Sequence, residues 1–218
     1  MSEVAAPGSP SVPLPSLSAA VLAGGAARRL GGEKAGRLLG DHSLLERAVQ
    51  LAGLVSDDVI LAAGSRDYAP RGVRLVDDWV AHSERSLGPL AGVGAALEAA
   101  REPWVLLLAC DQPWPSARVV RRLVEGAEAS GRPGCVVRGE GRLQPFPAVL
   151  GRSTLDGLRS HLARGGRSLI GWLTDAVQPA TLALSDLDPA DRGGAFLMDI
   201  DTPDDLQRAR RLLVETPH

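Results

Sequence analysis

Residues 17–34 read Leu-Ser-Ala-Ala-Val-Leu-Ala-Gly-Gly-Ala-Ala-Arg-Arg-Leu-Gly-Gly-Glu-Lys. Leu17 to Leu22 is a mostly apolar run, as a buried strand requires. Leu22 to Lys34 then packs four glycines, two arginines and a lysine into one turn. Glycine lets the backbone approach a ligand closely and take positive φ. Successive backbone N–H groups in such a loop form an anion-binding concavity, and a lysine at its end adds a full charge. This is chemistry for the phosphates of a nucleotide. The loop lacks the Gly-Lys-Ser/Thr of a Walker sequence and is not a clean dinucleotide fingerprint. Taken alone, its weaker alternative is a plain glycine link between a strand and a helix.

Outward from this stretch, strand and helix patterns alternate. Ser43-Leu44-Leu45-Glu46 pairs an N-cap serine with a glutamate three residues on, and apolar residues continue to Leu54. Strands are expected at Ser18–Ala23, Asp58–Ala63, Val73–Val76, Trp104–Ala109, Gly134–Val137 and Leu143–Leu150, and late ones at Ala180–Leu184 and Ala195–Ile200. Trp79–Leu87 reads as a loop and Glu140-Gly141 as a turn. Gly88-Pro89-Leu90-Ala91-Gly92 opens an alanine-rich helix to Arg101; further helices fall near Ser116–Ala129, Ser153–Ala163 and Ser168–Leu173. Pro203 starts a last helix to about Val214, with Thr202 as its N-cap and Asp204-Asp205 at its positive end. The alternation predicts an α/β fold with a mostly parallel sheet covered on both faces. Ligands of such folds bind at the C-terminal ends of the strands. That rule gathers the glycine loop, Asp77 and Asp78, Asp111 and the Asp199 region onto one edge.

The totals narrow the partners. A chain of 218 residues is read as one domain, residues 17–218, behind a disordered Ala/Pro/Ser-rich tail at residues 1–16. The net charge of −2 gives no global basic field for nucleic acid, and 3% aromatics leave few stacking platforms for single strands. The two cysteines, Cys110 and Cys135, have no metal spacing and are expected to be reduced and buried. No apolar run reaches the ~18 residues of a membrane span, and no secretory signal is read, so the cytoplasm is the expected compartment. His42, His82, His161 and His218 are scattered and are expected at the surface.

Asp111 follows the buried run Val105 to Cys110 and precedes Gln112-Pro113. A carboxylate at the end of a central strand, facing a phosphate loop, suits Mg²⁺, which takes one or two carboxylates and completes its shell with waters and substrate phosphates. Asp111 is otherwise a turn residue before a proline. Asp199 and Asp201 alternate ahead of Thr202; one of them completes the metal site with Asp111, or both cap the last helix. Arg28, Arg29 and Lys34 are candidates for a triphosphate. Arg164-Gly165-Gly166-Arg167-Ser168 is a second basic turn, for a second anionic substrate or simply between helices.

Together these motifs resemble the molybdenum cofactor guanylyltransferase family, nucleotidyltransferases of three-layer Rossmann-like fold. The resemblance spans about Leu17 to Leu213. It rests on Leu22-Ala23-Gly24-Gly25 with Arg29-Leu30-Gly31 and Glu33-Lys34, on Gly88-Pro89-Leu90-Ala91-Gly92 preceded by Asp77 or Asp78, on Cys110-Asp111-Gln112-Pro113, on Gln144-Pro145, and on Thr202-Pro203-Asp204-Asp205-Leu206. It implies transfer of GMP from GTP to molybdenum-loaded molybdopterin with release of pyrophosphate. It also implies Mg²⁺ on Asp111, and Arg29 and Lys34 on the triphosphate. Leu22, Ala23, Gly24, Gly25, Asp77, Asp78, Gly88, Pro89 and Leu90 would serve the nucleotide. Gln144, Arg167, Asp199 and Asp201 would serve the acceptor. The implied protein partners are cofactor-accepting molybdoenzymes or their chaperones, with no nucleic acid and no membrane.

This sequence departs from the family in Leu30 for Met, Glu33 for Asp, and acids at 199 and 201 where guanylyltransferases often carry Asn. Asp-Ile-Asp-Thr-Pro looks more like the related cytidylyltransferases, whereas Leu-Ala-Gly-Gly and Gly-Pro-Leu-Ala-Gly look like the guanylyl enzymes. Two other readings stand beside guanylyl transfer. One is the same chemistry with CTP, or with another nucleotide and another phosphate acceptor. The other is a non-catalytic protein that binds and delivers the cofactor.

Overall fold

In the computed structural model, which describes residues 14, 16–23, 34–62, 71–79, 87–139, 141–187 and 197–215, the opening apolar run forms β1 (Leu17–Leu22). A 3-10 turn at Lys34–Gly36 leads into a small antiparallel hairpin, β2 (Leu38–Leu39) and β3 (His42–Ser43), too short for a two-residue period to reveal. There follow α1 (Leu44–Val55), β4 (Asp58–Ala62), β5 (Val73–Val76), α2 (Pro89–Ala99), β6 (Trp104–Ala109), α3 (Ala117–Ser130), β7 (Gly134–Gly139) and β8 (Arg142–Gly151). Then come α4 (Leu155–Ala163), α5 (Leu169–Trp172) running into a π turn that ends at Val177, β9 (Ala180–Ala183) and α6 (Pro203–Glu215).

Seven strands form one sheet in the order β5-β4-β1-β6-β8-β7-β9. Neighbours run parallel except at β8, which is antiparallel to both β6 and β7. The mostly parallel α/β sheet expected from the alternation is therefore present. Its two faces are covered by different helices. Ala19 and Val21 of β1, with Leu106 and Leu108 of β6, pack against apolar residues of α1 and α3. Ala20, Ile60, Val105 and Leu107 face the other way, onto α2, α4 and α5. Strict alternation with both sides apolar is what a parallel strand between two helical layers needs. Helix starts obey local chemistry. Ser43 and Glu46 form a reciprocal capping box on α1, and Ser116 caps α3 through the Val119 N–H.

The N-terminal ends of the parallel strands are closed by a buried charge. Asp58 accepts from Ser18 Oγ at 2.6 Å, from Arg74 Nε at 2.9 Å and Nη2 at 3.0 Å, and from the Arg101 N–H at 3.2 Å. Arg74 also donates to the Ala99 carbonyl at 2.9 Å. Burial alone would raise the Asp58 carboxyl; the bonds from Ser18, Arg74 and Arg101 outweigh it and hold the group below its usual value. One carboxylate thus ties β1, β4, β5 and the end of α2 together.

The expected late strand at Ala195–Ile200 is a correction. Ala195 and Phe196 lie outside the described residues, and Leu197–Ile200 is not a strand. The segment crosses the end of β6, which β1 and β8 already flank, so no strand edge is open to it. Its backbone bonds the turn instead, the Ile200 N–H donating to the Asp111 carbonyl at 2.9 Å. Ile200 is fully buried in a third, smaller core with Leu39, Leu44, Leu206 and Ala209, which docks α6 on the β2–β3 hairpin.

Removing the Asp58 charge takes the ionised acceptor away from Arg74, from Ser18 Oγ and from the Arg101 N–H. Asp58→Asn should lower stability by about 2–4 kcal/mol near neutral pH. Because the folded carboxyl is held low, its contribution is complete above the unfolded-chain value of roughly 4 and is lost as pH falls through the folded value. Urea melts of the two proteins should differ at pH 7 and converge in strong acid. Equal midpoints at pH 7 would overturn this account.

Candidate active site

The chain leaves β1 toward β4 and later returns on the other side as β6, so the sheet's switch point lies between β1 and β6. The ladder runs one step past both strands: the Ala23 N–H donates to Ala62 O at 2.9 Å and the Cys110 N–H to Leu22 O at 3.2 Å. Leu22 and Ala23 are thereby fixed beside the turn that carries Asp111. Gly24, Gly25, Arg28, Arg29, Gly31, Gly32 and Glu33 lie outside the described residues. The described chain resumes at Lys34, which opens the 3-10 turn; Ala35 beside it is buried in the first core and anchors that end of the loop.

Asp77 and Asp78 follow β5. Asp77 is exposed, whereas Asp78 turns inward over α2. A Cβ on Gly92 would lie 3.2 Å from Asp78 Oδ1 and 3.3 Å from Leu22 Cδ2. Two of the expected nucleotide residues therefore meet over a helix position that carries no side chain. Gly88 caps α2 with φ +56°, a left-handed conformation that favours glycine, and Pro89 occupies the first helical turn. Leu90 is fully buried in the second core, so only its backbone is open to a ligand.

Trp79 was not singled out by the sequence, yet it holds the Asp77-Asp78 loop down. Its N–H donates to Ala91 O at 3.3 Å, and its indole covers Gly94, where a Cβ would fall inside the ring. Trp79 Nε1 donates to Glu98 at 2.9 Å, and the Arg159 guanidinium sits 5.8 Å from the ring centroid while bonding Glu98 at 2.6 Å. The signal available in the sequence was the Gly92/Gly94 pair, two gaps on a helix otherwise full of alanine and leucine.

Asp111, half-buried, lies in the turn that follows β6. Gln112 beside it is 7% exposed, and its Nε2 donates to Asp199 Oδ1 at 2.8 Å. Asp199 itself is exposed, so the turn and the segment before α6 are joined at the surface of the site. Thr202 Oγ1 accepts from the Asp205 N–H at 3.1 Å, and Asp205 Oδ2 accepts from the Thr202 N–H at 2.8 Å, so Thr202 caps α6 as its sequence implies. The Asp201 N–H also donates to Asp205, at 3.2 Å. Gln144 lies near the start of β8, opposite Val137; because β8 is antiparallel to β6, that start faces the Asp111 edge.

Arg167 is exposed and folds back on its own turn, Nη1 donating to Leu162 O at 3.1 Å and Gly166 O at 2.7 Å. In the same turn His161 departs from the surface expectation. It is half-buried, because Gly166 lets the chain close over the imidazole. Among the described residues no cluster of three or more His, Cys, Asp or Glu could hold a metal. The donor set fits only a hard cation content with a carboxylate or two and substrate oxygens, which is the coordination habit of Mg²⁺. The cysteines are free and buried as expected, and burial pushes the Cys135 thiol up to about 11, so it offers no thiolate near neutral pH.

Residues 19–177 match the MobA-like NTP transferase domain. Over 180 residues the chain is 37% identical to the molybdenum cofactor guanylyltransferase of Pseudomonas putida, spanning 79% of this chain and 91% of that protein. The chain belongs to the MobA-like NTP transferase family. The fold agrees. Molybdopterin-guanine dinucleotide biosynthesis protein A from Archaeoglobus fulgidus superposes with a TM-score of 0.75 at 23% identity, over 91% of this chain and 100% of that one. The 2-C-methyl-D-erythritol 4-phosphate cytidylyltransferase of Thermus thermophilus has the same fold at TM-score 0.61 and 20% identity, over 89% and 97% of the two chains. As a MobA-like NTP transferase, this protein is a nucleotidyltransferase, and among its described residues no helix is long and apolar enough to cross a membrane.

The Trp79 clamp is open to a direct check. Gly94→Ala puts a methyl where the indole lies, and the ring must leave. Stability should fall by about 1–3 kcal/mol, and tryptophan emission should shift to the red as the ring meets water. An unchanged spectrum and melting temperature would show that the indole does not rest on Gly94.

Proposed function

We propose that the protein transfers GMP from GTP to molybdenum-loaded molybdopterin, forming the guanine dinucleotide cofactor and releasing pyrophosphate. The observation that carries this reading is a chemical one. Leu22 and Ala23, Asp78, the Gly88 end of α2, Asp111 and Asp199 share one sheet edge, in a chain 37% identical to a molybdenum cofactor guanylyltransferase.

A phosphate oxygen of the pterin forms a bond to the α-phosphorus of GTP, in line with the bond that breaks. The electron pair of that breaking bond leaves with pyrophosphate. No protein nucleophile is required, so the chain's work is positioning and charge stabilisation. Arg29, Lys34 and the backbone N–H groups of Gly24 and Gly25 hold the triphosphate and steady the departing pyrophosphate. Leu22, Ala23, Asp77, Asp78, Gly88, Pro89 and the Leu90 backbone line the base and ribose. Asp111 would hold Mg²⁺, which when bound would offset the charge building on the phosphates. Gln144, Arg167, Asp199 and Asp201 face the pterin. Arg167 can do so with donors that its own turn does not use, since the bonds to Leu162 and Gly166 take only Nη1. The same reading puts the protein in the cytoplasm, upstream of cofactor-accepting molybdoenzymes or their chaperones.

The acids at 199 and 201 favour one rival, the same reaction with CTP. The test is pyrophosphate release with each common nucleotide, with and without molybdenum-loaded molybdopterin. Release should require both GTP and the pterin; release with CTP and not GTP would overturn the base assignment. Asp111→Ala should lower turnover at least ~100-fold, and full activity would remove it from the reaction. Lys34→Ala should raise the KM for GTP roughly tenfold or more, as loss of a charge-assisted bond worth about 1.5–3 kcal/mol. An unchanged KM would count against the loop assignment.

A further inference from the structure

We infer that Trp79 is a positioning residue for the nucleotide, fixing the loop after β5 against the first turns of α2. The inference rests on the proposed function, in which that loop and the Gly88 end of α2 line the base and ribose. Asp78 and Trp79 grip α2 from two sides. The Asp78 side chain is tucked against Gly92, where an added Cβ would lie 3.2 Å from Asp78 Oδ1, 3.3 Å from Leu22 Cδ2 and 3.7 Å from the Ala62 Cβ. Asp78 therefore sits between the helix and the ends of β1 and β4. Trp79 lies over Gly94, which is two residues on and so roughly 200° further round the helix. The Trp79 N–H adds a main-chain bond to Ala91 O at 3.3 Å. A loop held on one side alone could still slide or swing. Held on two sides, it has a fixed height and a fixed angle over α2.

The outer contacts of the indole set its orientation and add little to folding. Trp79 Nε1 donates to Glu98 at 2.9 Å, Arg159 pairs with Glu98 at 2.6 Å, and the Arg159 guanidinium stands 5.8 Å from the ring centroid. The Glu98 and Arg159 side chains are each 51% exposed, and an ion pair in that setting contributes little to stability. Packing over Gly94 needs only a flat ring, which phenylalanine also offers. The bond to Glu98 does what packing cannot. An indole carries one donor, in the plane of the ring, so a bonded Nε1 selects one rotation of the ring on the helix. Asp77 and Asp78 directly precede Trp79, so the place of the ring sets the place of their backbone. Glu98 lies about 15 Å along α2 from Gly88. Trp79 is thus braced from outside the site and acts on the nucleotide through the loop.

The test separates base from phosphates by comparing GTP with inorganic tripolyphosphate, which offers the phosphate loop three phosphates and has no base or ribose. Equilibrium Kd values for both, the Kd for molybdopterin and the melting temperature are measured. The proteins are the wild type, Trp79→Ala, Trp79→Phe, Glu98→Leu and the double variant of the last two. Trp79→Ala should weaken GTP binding about tenfold and leave tripolyphosphate and molybdopterin within about twofold. Trp79→Phe keeps a ring over Gly94 and loses the N–H; it should melt close to the wild type and bind GTP about threefold more weakly. Glu98→Leu should reproduce that loss and add nothing in the Trp79→Phe background, where the bond it removes is already gone.

Unchanged GTP affinity in Trp79→Ala, with only the melting temperature lowered, would overturn the inference. So would GTP and tripolyphosphate weakening in step. If Trp79→Ala does not fold, Trp79→Phe and Glu98→Leu decide, and additive losses in their double variant would overturn the inference too. A wild type that binds tripolyphosphate as tightly as GTP would remove the base wall, and with it both the proposed reading of this loop and the role of Trp79. A wild type that prefers CTP would refute the guanylyl reading alone, and the same comparison made with CTP would then decide for Trp79.

Discussion

β1 is hydrogen-bonded in parallel to β4 on one side and β6 on the other, and both its faces are covered by helices. Every other arrangement in the molecule answers to that constraint. A strand closed on four sides can meet solvent only at its ends. At the N-terminal end of the sheet the backbone and Ser18 are satisfied by the Asp58–Arg74 network, which leaves nothing for a ligand. The C-terminal end is where the chain must reverse direction and where the polar residues emerge. Chemistry collects there because backbone pairing has consumed the alternatives.

Two substrates require two walls, and different elements build them. The wall we propose for the nucleotide is α2 with the loop after β5, held by side chains that fill the spaces above Gly92 and Gly94. The wall we propose for the acceptor is the segment before α6, which is held at the Asp111 turn by the burial of Ile200 with Leu39, Leu44, Leu206 and Ala209. Arg210 of α6 donates to Leu38 O at 3.1 Å, so the last helix also braces the hairpin that follows Lys34. The small third core therefore connects the hairpin that follows Lys34 to the segment before α6, whose Ile200 N–H bonds the Asp111 turn.

Much of this was legible in one dimension. Buried parallel strands are continuous apolar runs, and Trp104–Ala109 could be read as one without knowing its neighbours. Helix caps are local chemistry, so Ser43 with Glu46 and Thr202 with Asp205 announced α1 and α6. Motif spacing carried the family, because a glycine loop, a strand-end aspartate and a Thr-Pro-Asp-Asp turn recur in a fixed order. The late strand at Ala195–Ile200 was misread for a physical reason. Apolar pattern reports burial and not pairing, and Ile200 is buried against side chains while its N–H bonds a turn.

Sequence by itself determined the alternation of elements, the sheet edge at which the candidate site residues gather and the residue types available there. Those follow from periodicity, capping and backbone pairing, which act between residues near in sequence or by rules common to all such sheets. Only the tertiary structure left Asp77 exposed, turned Asp78 over Gly92, set Trp79 on Gly94, and joined Gln112 to Asp199 across 87 residues. These contacts depend on the distance and angle at which separate elements pack. Nothing in the local pattern of either partner encodes that relation.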